Sequence, residues 1–213
     1  LPTEAPHVLS VSSVGPVNLG SSPYPRKAFY SNYGVEQTTV AAPGGDSREF
    51  FGTPQYSAPE NRILAPYPLN VAQACGEVDP RGVPTGQTTC GTPGLPRATP
   101  IVRNCAQGVC ALYQWLQGTS MASPHATGVA AIIVAQRGRR DPVHGGLTFA
   151  PDRLESILRR TATDTPCPPQ EPFTYPGFPG PPFDAVCEGT PAFNGFYGDG
   201  IVNALAASRA GGG

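Results

Sequence analysis

From Thr119 the chain enters one unbroken helical run, TSMASPHATGVAAIIVAQ, which limits the fold more than any other stretch. Gly118 precedes it, Pro124 falls in its first turns and Gly138 stops it. Small residues recur along its whole length. Side chains that small let neighbouring backbone approach closely, so the run predicts a buried helix passing through the centre of a sheet-covered core.

The entry to that helix also carries chemistry. A serine at the first turn sits beside free backbone N–H groups and the positive end of the helix dipole, both suited to a developing oxyanion. Ser120 occupies that position, and Gly118 leaves room for a substrate backbone. A serine that opens a helix is by default only a cap. The surrounding octapeptide, Gly118 to His125, goes beyond what a cap needs.

Two further segments read as strands. His7 to Val14 alternates apolar and small polar residues and ends at Gly15-Pro16, and Gln37 to Ala42 is a β-branched run closed by Pro43. Between them, Lys27 to Tyr33 is a short aromatic segment. The chain holds 26 Gly and 27 Pro, concentrated most densely from Asp46 to about Tyr113, where no period is sustained. That region (46–113) reads as an inserted surface loop. Pro151 to Ala162 predicts an amphipathic surface helix with Leu154, Ile157 and Leu158 inward, and Ile201 to Ser208 a short terminal helix. The Gly211 to Gly213 tail is expected to fray.

Six cysteines (Cys75, Cys90, Cys105, Cys110, Cys167 and Cys187) lie in Pro/Gly-rich segments without a CxxC pair. Disulfides fit this pattern better than metal ligation, and they imply an oxidising compartment, secreted or at the cell surface. Cys105 with Cys110 and Cys167 with Cys187 would close short loops, leaving Cys75 with Cys90; six cysteines allow many other connectivities.

The balance of 14 basic and 15 acidic residues, a net charge of −1, gives no electrostatic case for nucleic acid or an anionic membrane surface. The most apolar run, Gly128 to Ala135, is less than half of the roughly 20 residues that span a bilayer. The only methionine is Met121, so processing or truncation is expected to have removed whatever precedes Leu1.

GTSMASPHATGVAA resembles the serine motif of the subtilisin-like (S8) proteases, G-T-S-M-A-x-P-H, at all eight motif positions. Weaker likenesses follow the family's order: PHVLSVSSV, then KAFYSNYG and TTVAAPG as its next strands, and GDGIVNALAA at the end. The resemblance implies a three-layer α/β/α fold with a mostly parallel sheet. Residues 1–213 would form the C-terminal part of one catalytic domain, incomplete because its first strands and helices are absent. Expressed alone, such a piece is expected to be poorly soluble. Ser120 would be the nucleophile towards a protein or peptide substrate and its own N–H an oxyanion donor. Gly118, Thr119 and Leu116 are cleft candidates; Leu116 and Trp115 read equally well as packing beside the helix. No cofactor is required. Calcium binding is common in the family, but no loop here shows a ligand spacing that marks a site.

The segment between APG and the serine motif is far longer than the family's usual connection, which suggests a lid or docking loop. Nor does the chain contain the family's D-[ST]-G and H-G-T-H-like motifs or the Asn that follows them. The Asp and His partners are therefore expected from a missing N-terminal part, and this chain alone is expected to be nearly inactive. His125 is no substitute base, since five residues turn a helix by roughly 500° and leave its side chain about 140° away from Ser120. His7 and His144 read as solvated or capping residues.

The competing reading is a degenerate or separately expressed chain that binds peptide or a partner without catalysis. An intact GTSMASPH argues against it. An α/β-hydrolase is excluded, because no G-x-S-x-G elbow surrounds Ser120.

Overall fold

The computed structural model describes residues 5–16, 25–90, 100–177 and 183–210. The expected frayed tail, Gly211 to Gly213, lies outside the described residues.

The centre is a parallel pair, β1 (Val11–Val14) and β2 (Val40–Pro43), with Val11 opposite Val40 and Val14 opposite Pro43. Alternation along β2 sends its side chains to two different cores. Val40 and Ala42 face the helices, whereas Ala41 joins Val14, Tyr175, Phe196 and Tyr197 on the other side. Both faces of β2 are thus covered, by helices on one side and an aromatic loop cluster on the other.

The far edge of β2 is also paired. The Ala41 amide donates to the Gly200 carbonyl, and the Val202 amide to the Ala41 carbonyl, both at 2.9 Å. This corrects the expected helix start at Ile201, because Ile201 is bridged between Ala41 and Thr163. The terminal helix runs from Ala204 to Arg209, where the Asn203 side chain caps it by accepting from the Ala206 amide at 2.9 Å.

Lys27 to Tyr33, likened above to a strand, forms only a bridge from Lys27 to Val14. The Ser31 hydroxyl accepts from the Ser13 amide at 2.9 Å, taking the place of a ladder bond, and the chain turns as Ser31 N–H bonds the Ala28 carbonyl.

The 46–113 region has more structure than its composition suggests. It contains β3 (Ile63–Pro66), α1 (Leu69–Ala74), β4 (Val102–Ala106) and most of β5 (Val109–Leu116), with the strands in one antiparallel sheet ordered β3-β5-β4. Ala72, Val78 and Leu112 form its small core. Disulfides join Cys75 to Cys90, Cys105 to Cys110, and Cys167 to Cys187.

The long helix, α2, spans Thr119–Arg137 and continues through Pro124. It is buried along a single stripe, Ala122, Ala126, Val129 and Ile133, against β2 and against α3 (Pro151–Arg160), whose inward residues are Ile157 and Leu158. The helix expected to be buried is thus buried on one face only. Its other faces, Ile132 among them, are exposed, because β1, β2, α3 and the terminal helix cover only the stripe. The alanines on the stripe bring α2 close to Ala42 and so fix where its first turn lies. No helix among the described residues is long and apolar enough to cross a membrane.

Candidate active site

The first turn of α2 is held by the loop that leaves β2. The Gly118 amide donates to the Gly44 carbonyl at 3.0 Å, and the Ser47 amide donates to the Gln117 side chain at 2.7 Å. Gly118 has φ of +155°, a backbone conformation that side chains rarely adopt, which explains a glycine just before the helix. Its carbonyl accepts from the amides of Met121 (2.9 Å) and Ala122 (3.2 Å). The Thr119 and Ser120 amides come before these first helical bonds and have no acceptor in the helix.

Ser120 is exposed, and it lines a cleft of about 470 Å³ together with Thr119 and Ser123 of α2, Val11 of β1, Tyr33 and Thr38. Among the described residues no group hydrogen-bonds to its Oγ. Pro124 has no N–H to give the Ser120 carbonyl, so the backbone around this serine is more open than mid-helix backbone. The site thus places a hydroxyl and a free amide side by side at the mouth of a polar cleft.

Other candidates lie elsewhere. Leu116 pairs with Ile63 and Trp115 with Leu64 in the β3–β5 ladder, and neither lines this cleft. The His125 ring bonds the Met121 carbonyl at 2.8 Å, His7 pairs with Asp152 at 3.0 Å, and His144 with Asp141 at 3.1 Å. No histidine among the described residues lines the cleft.

Behind the cleft is a buried polar layer. The Tyr30 hydroxyl lies 2.8 Å from the Ser13 hydroxyl, donates to the Gly45 carbonyl at 2.5 Å and is 3.0 Å from the Gly44 carbonyl. Burial pushes its pKa up to about 12. Deeper still, Asp46 and Glu49 each pair with Arg26 at 3.0 Å. Lys27 Nζ sits 4.8 Å from the Tyr33 ring centroid.

Among the described residues, the one cluster of three His, Cys, Asp or Glu side chains is Cys167, Glu171 and Cys187. Both sulfurs there are joined in a disulfide, and calcium prefers oxygen ligands, so this set does not fit the ion.

Sequence reasoning missed several cleft residues. Ser123 was within reach, because i and i+3 share a helix face. Tyr33 and Thr38 flank the turn closed by the Thr38 amide on the Gly34 carbonyl at 3.0 Å, and no local pattern says that this turn lies against the first turn of α2.

A model of the subtilase family matches residues 1–178. No curated protein matches the chain. Among solved structures it is similar to fervidolysin from Fervidobacterium pennivorans, a keratinolytic enzyme related to subtilisin, at 20% identity and a TM-score of 0.48. That similarity covers 99% of this chain and 20% of the other, so the chain spans about a fifth of fervidolysin's length.

Proposed function

The chain belongs to the subtilase family, and on that premise we propose that it is the part of a serine endopeptidase that carries the nucleophile, Ser120. The observation that carries this reading is the exposed Ser120 side chain at the open first turn of α2, over a cleft.

In this reading Ser120 Oγ attacks the carbonyl carbon of a peptide bond while its proton passes to a histidine base. The carbonyl oxygen becomes an oxyanion held by the Ser120 N–H, which costs no helical hydrogen bond because none is made there. The C–N bond then breaks, the amine leaves with the proton, and water hydrolyses the acyl ester on Ser120. The base and its aspartate come from polypeptide outside this stretch, since His7, His125 and His144 are engaged elsewhere. Residues 1–213 are accordingly nearly inactive by themselves. Three disulfides suit an enzyme that matures in an oxidising compartment.

The test is labelling by a fluorophosphonate. The full-length protein should be modified at Ser120, the isolated stretch hardly at all, and Ser120→Ala should abolish both labelling and proteolysis while leaving the melting temperature unchanged. Labelling that survives in the Ser120→Ala protein would remove Ser120 from this role.

A further inference from the structure

A second cavity, of about 750 Å³, opens where the last turn of α2, a short hairpin (Arg139–Arg140 with Leu147–Thr148) and the first turns of α3 meet. Arg137 lies 17 residues beyond Ser120, which at helical rise puts it roughly 25 Å from the cleft along the axis. The two cavities share no lining residue.

Four arginines line this cavity: Arg137, Arg139, Arg153 and Arg160. Such convergence is unexpected in a chain whose net charge is −1, where carboxylates are numerous enough to neutralise every cation. Neighbouring Arg159 follows the ordinary pattern, pairing with Glu155 at 3.1 Å and Asp199 at 2.6 Å. Among the described residues no carboxylate pairs with Arg137, Arg139 or Arg153; Arg137 reaches only the Gln136 amide oxygen at 3.2 Å. One acid, Asp152, lines the cavity, and it is turned to His7 at 3.0 Å.

The walls add further donors. The first hydrogen bond of α3 runs from the Leu154 amide to the Ala150 carbonyl at 3.0 Å, which leaves the Asp152 and Arg153 amides ahead of it at the positive end of the helix. The Ser156 hydroxyl lies on the same wall. Like charges gathered around one cavity repel one another, and a bound anion relieves that repulsion. Guanidinium forks match tetrahedral oxyanions in a two-pronged geometry, and several of them together exceed what a single carboxylate can satisfy. The volume is that of a small-ligand site.

We propose that this cavity binds a compact ligand bearing several phosphate or sulfate groups. The site is independent of the reading of Ser120. It is tested by calorimetric titration of the full-length protein with two probes, inositol hexakisphosphate for phosphate and a heparin-derived tetrasaccharide for sulfate. At low salt at least one probe should bind in the micromolar range and raise the melting temperature, and binding should weaken steeply as salt increases. The double substitution Arg139→Ala/Arg153→Ala, at exposed positions, should weaken it by at least about tenfold with an unchanged melting temperature of the free protein. Asp152→Asn should tighten binding, and Arg81→Ala, on the distant loop region, should leave it unaltered. Preference for one probe identifies the ligand as organic phosphate or sulfated sugar. The proposal is overturned if neither probe binds below millimolar concentration, or if the double variant binds as the parent does.

Discussion

The Gly118 amide and the Gly44 carbonyl are 3.0 Å apart, and this bond couples the end of the central parallel strand pair to the turn that presents Ser120. The Tyr30 hydroxyl donates to the next carbonyl, that of Gly45, at 2.5 Å and lies 3.0 Å from the Gly44 carbonyl, so the loop carrying the anchor is also held from its other side. Ser120 is therefore positioned by contacts reaching back to residues 13, 30 and 44, well outside its own motif.

Gly44→Ala tests that anchor. A Cβ at this position would overlap Ser13 Oγ, which could swing away only by giving up its contact with the Tyr30 hydroxyl, and would come within 2.6 Å of the Gly118 carbonyl oxygen, which is backbone. Relief requires the β2 loop and the α2 entry to separate. The expected loss is about 1–3 kcal/mol in chemical denaturation, typical of overpacking in a close-packed interior. Fluorophosphonate labelling of the full-length protein at Ser120 should slow in parallel. Full stability combined with unchanged labelling would show that the anchor does not control the turn.

Much of this arrangement could be read in advance, for identifiable reasons. Gly118 and Gly138 bracket α2, and Leu154, Ile157 and Leu158 give α3 a clear inner face, so both helices follow from local pattern. The β4–β5 hairpin did not. Its turn residues Gln107 and Gly108 both have positive φ, 51° and 80°, but Gln-Gly lacks the Asn-Gly signature of such turns. The extent of α2 burial was misjudged because small residues signal close approach on one face without saying how many faces are covered. The arginine cavity draws on three separate elements, so no window of sequence reveals it.

Lys27 gives the protein an unusual alkaline response. Its side chain is 2% exposed, Nζ donates to the carbonyls of Ala28 and Ser31, and the rings of Tyr33, Tyr175 and Phe196 surround it. Burial lowers its pKa from 10.5 to about 8; Asp46 opposes the shift and Arg26 adds to it. Below pH 8 both folded and unfolded states carry the proton, and the folded state bears the full cost of the buried charge. Between pH 8 and 10.5 the unfolded chain binds more protons, so stability rises with pH, by on the order of 3 kcal/mol. Tyr30 and Tyr197 act in the opposite sense. Burial pushes both up to about 12 from an ordinary value of 10.0, so their contribution is full below pH 10 and is lost as pH rises through 12. Urea denaturation at pH 7, 9.5 and 11.5 should show stability rising and then falling. Lys27→Met should abolish the rise and retain the fall; a rise that persists in this variant would assign it to another group.

The three disulfides should differ in what their removal costs. Chain entropy alone assigns about 3 kcal/mol to a loop the size of Cys167–Cys187 and about 2 kcal/mol to one the size of Cys105–Cys110, whose sequence separations are 20 and 5. The surroundings widen that gap. Cys187 is buried in the cluster of Val14, Ala41, Tyr175 and Phe196, with Cys167 packed against it, so replacement by alanine also leaves a void beneath the central strands. Cys105 and Cys110 are exposed and directly opposite one another in a ladder that keeps them adjacent without the bond. Replacing both cysteines of each pair by alanine should therefore lower the melting temperature most for Cys167–Cys187 and least for Cys105–Cys110. Labelling of the full-length protein at Ser120 should fall only in the Cys167–Cys187 variant, because that cluster shares Val14 and Ala41 with the strands on which the α2 entry rests. Equal losses in the two variants would mean that the aromatic layer does not support the central strands.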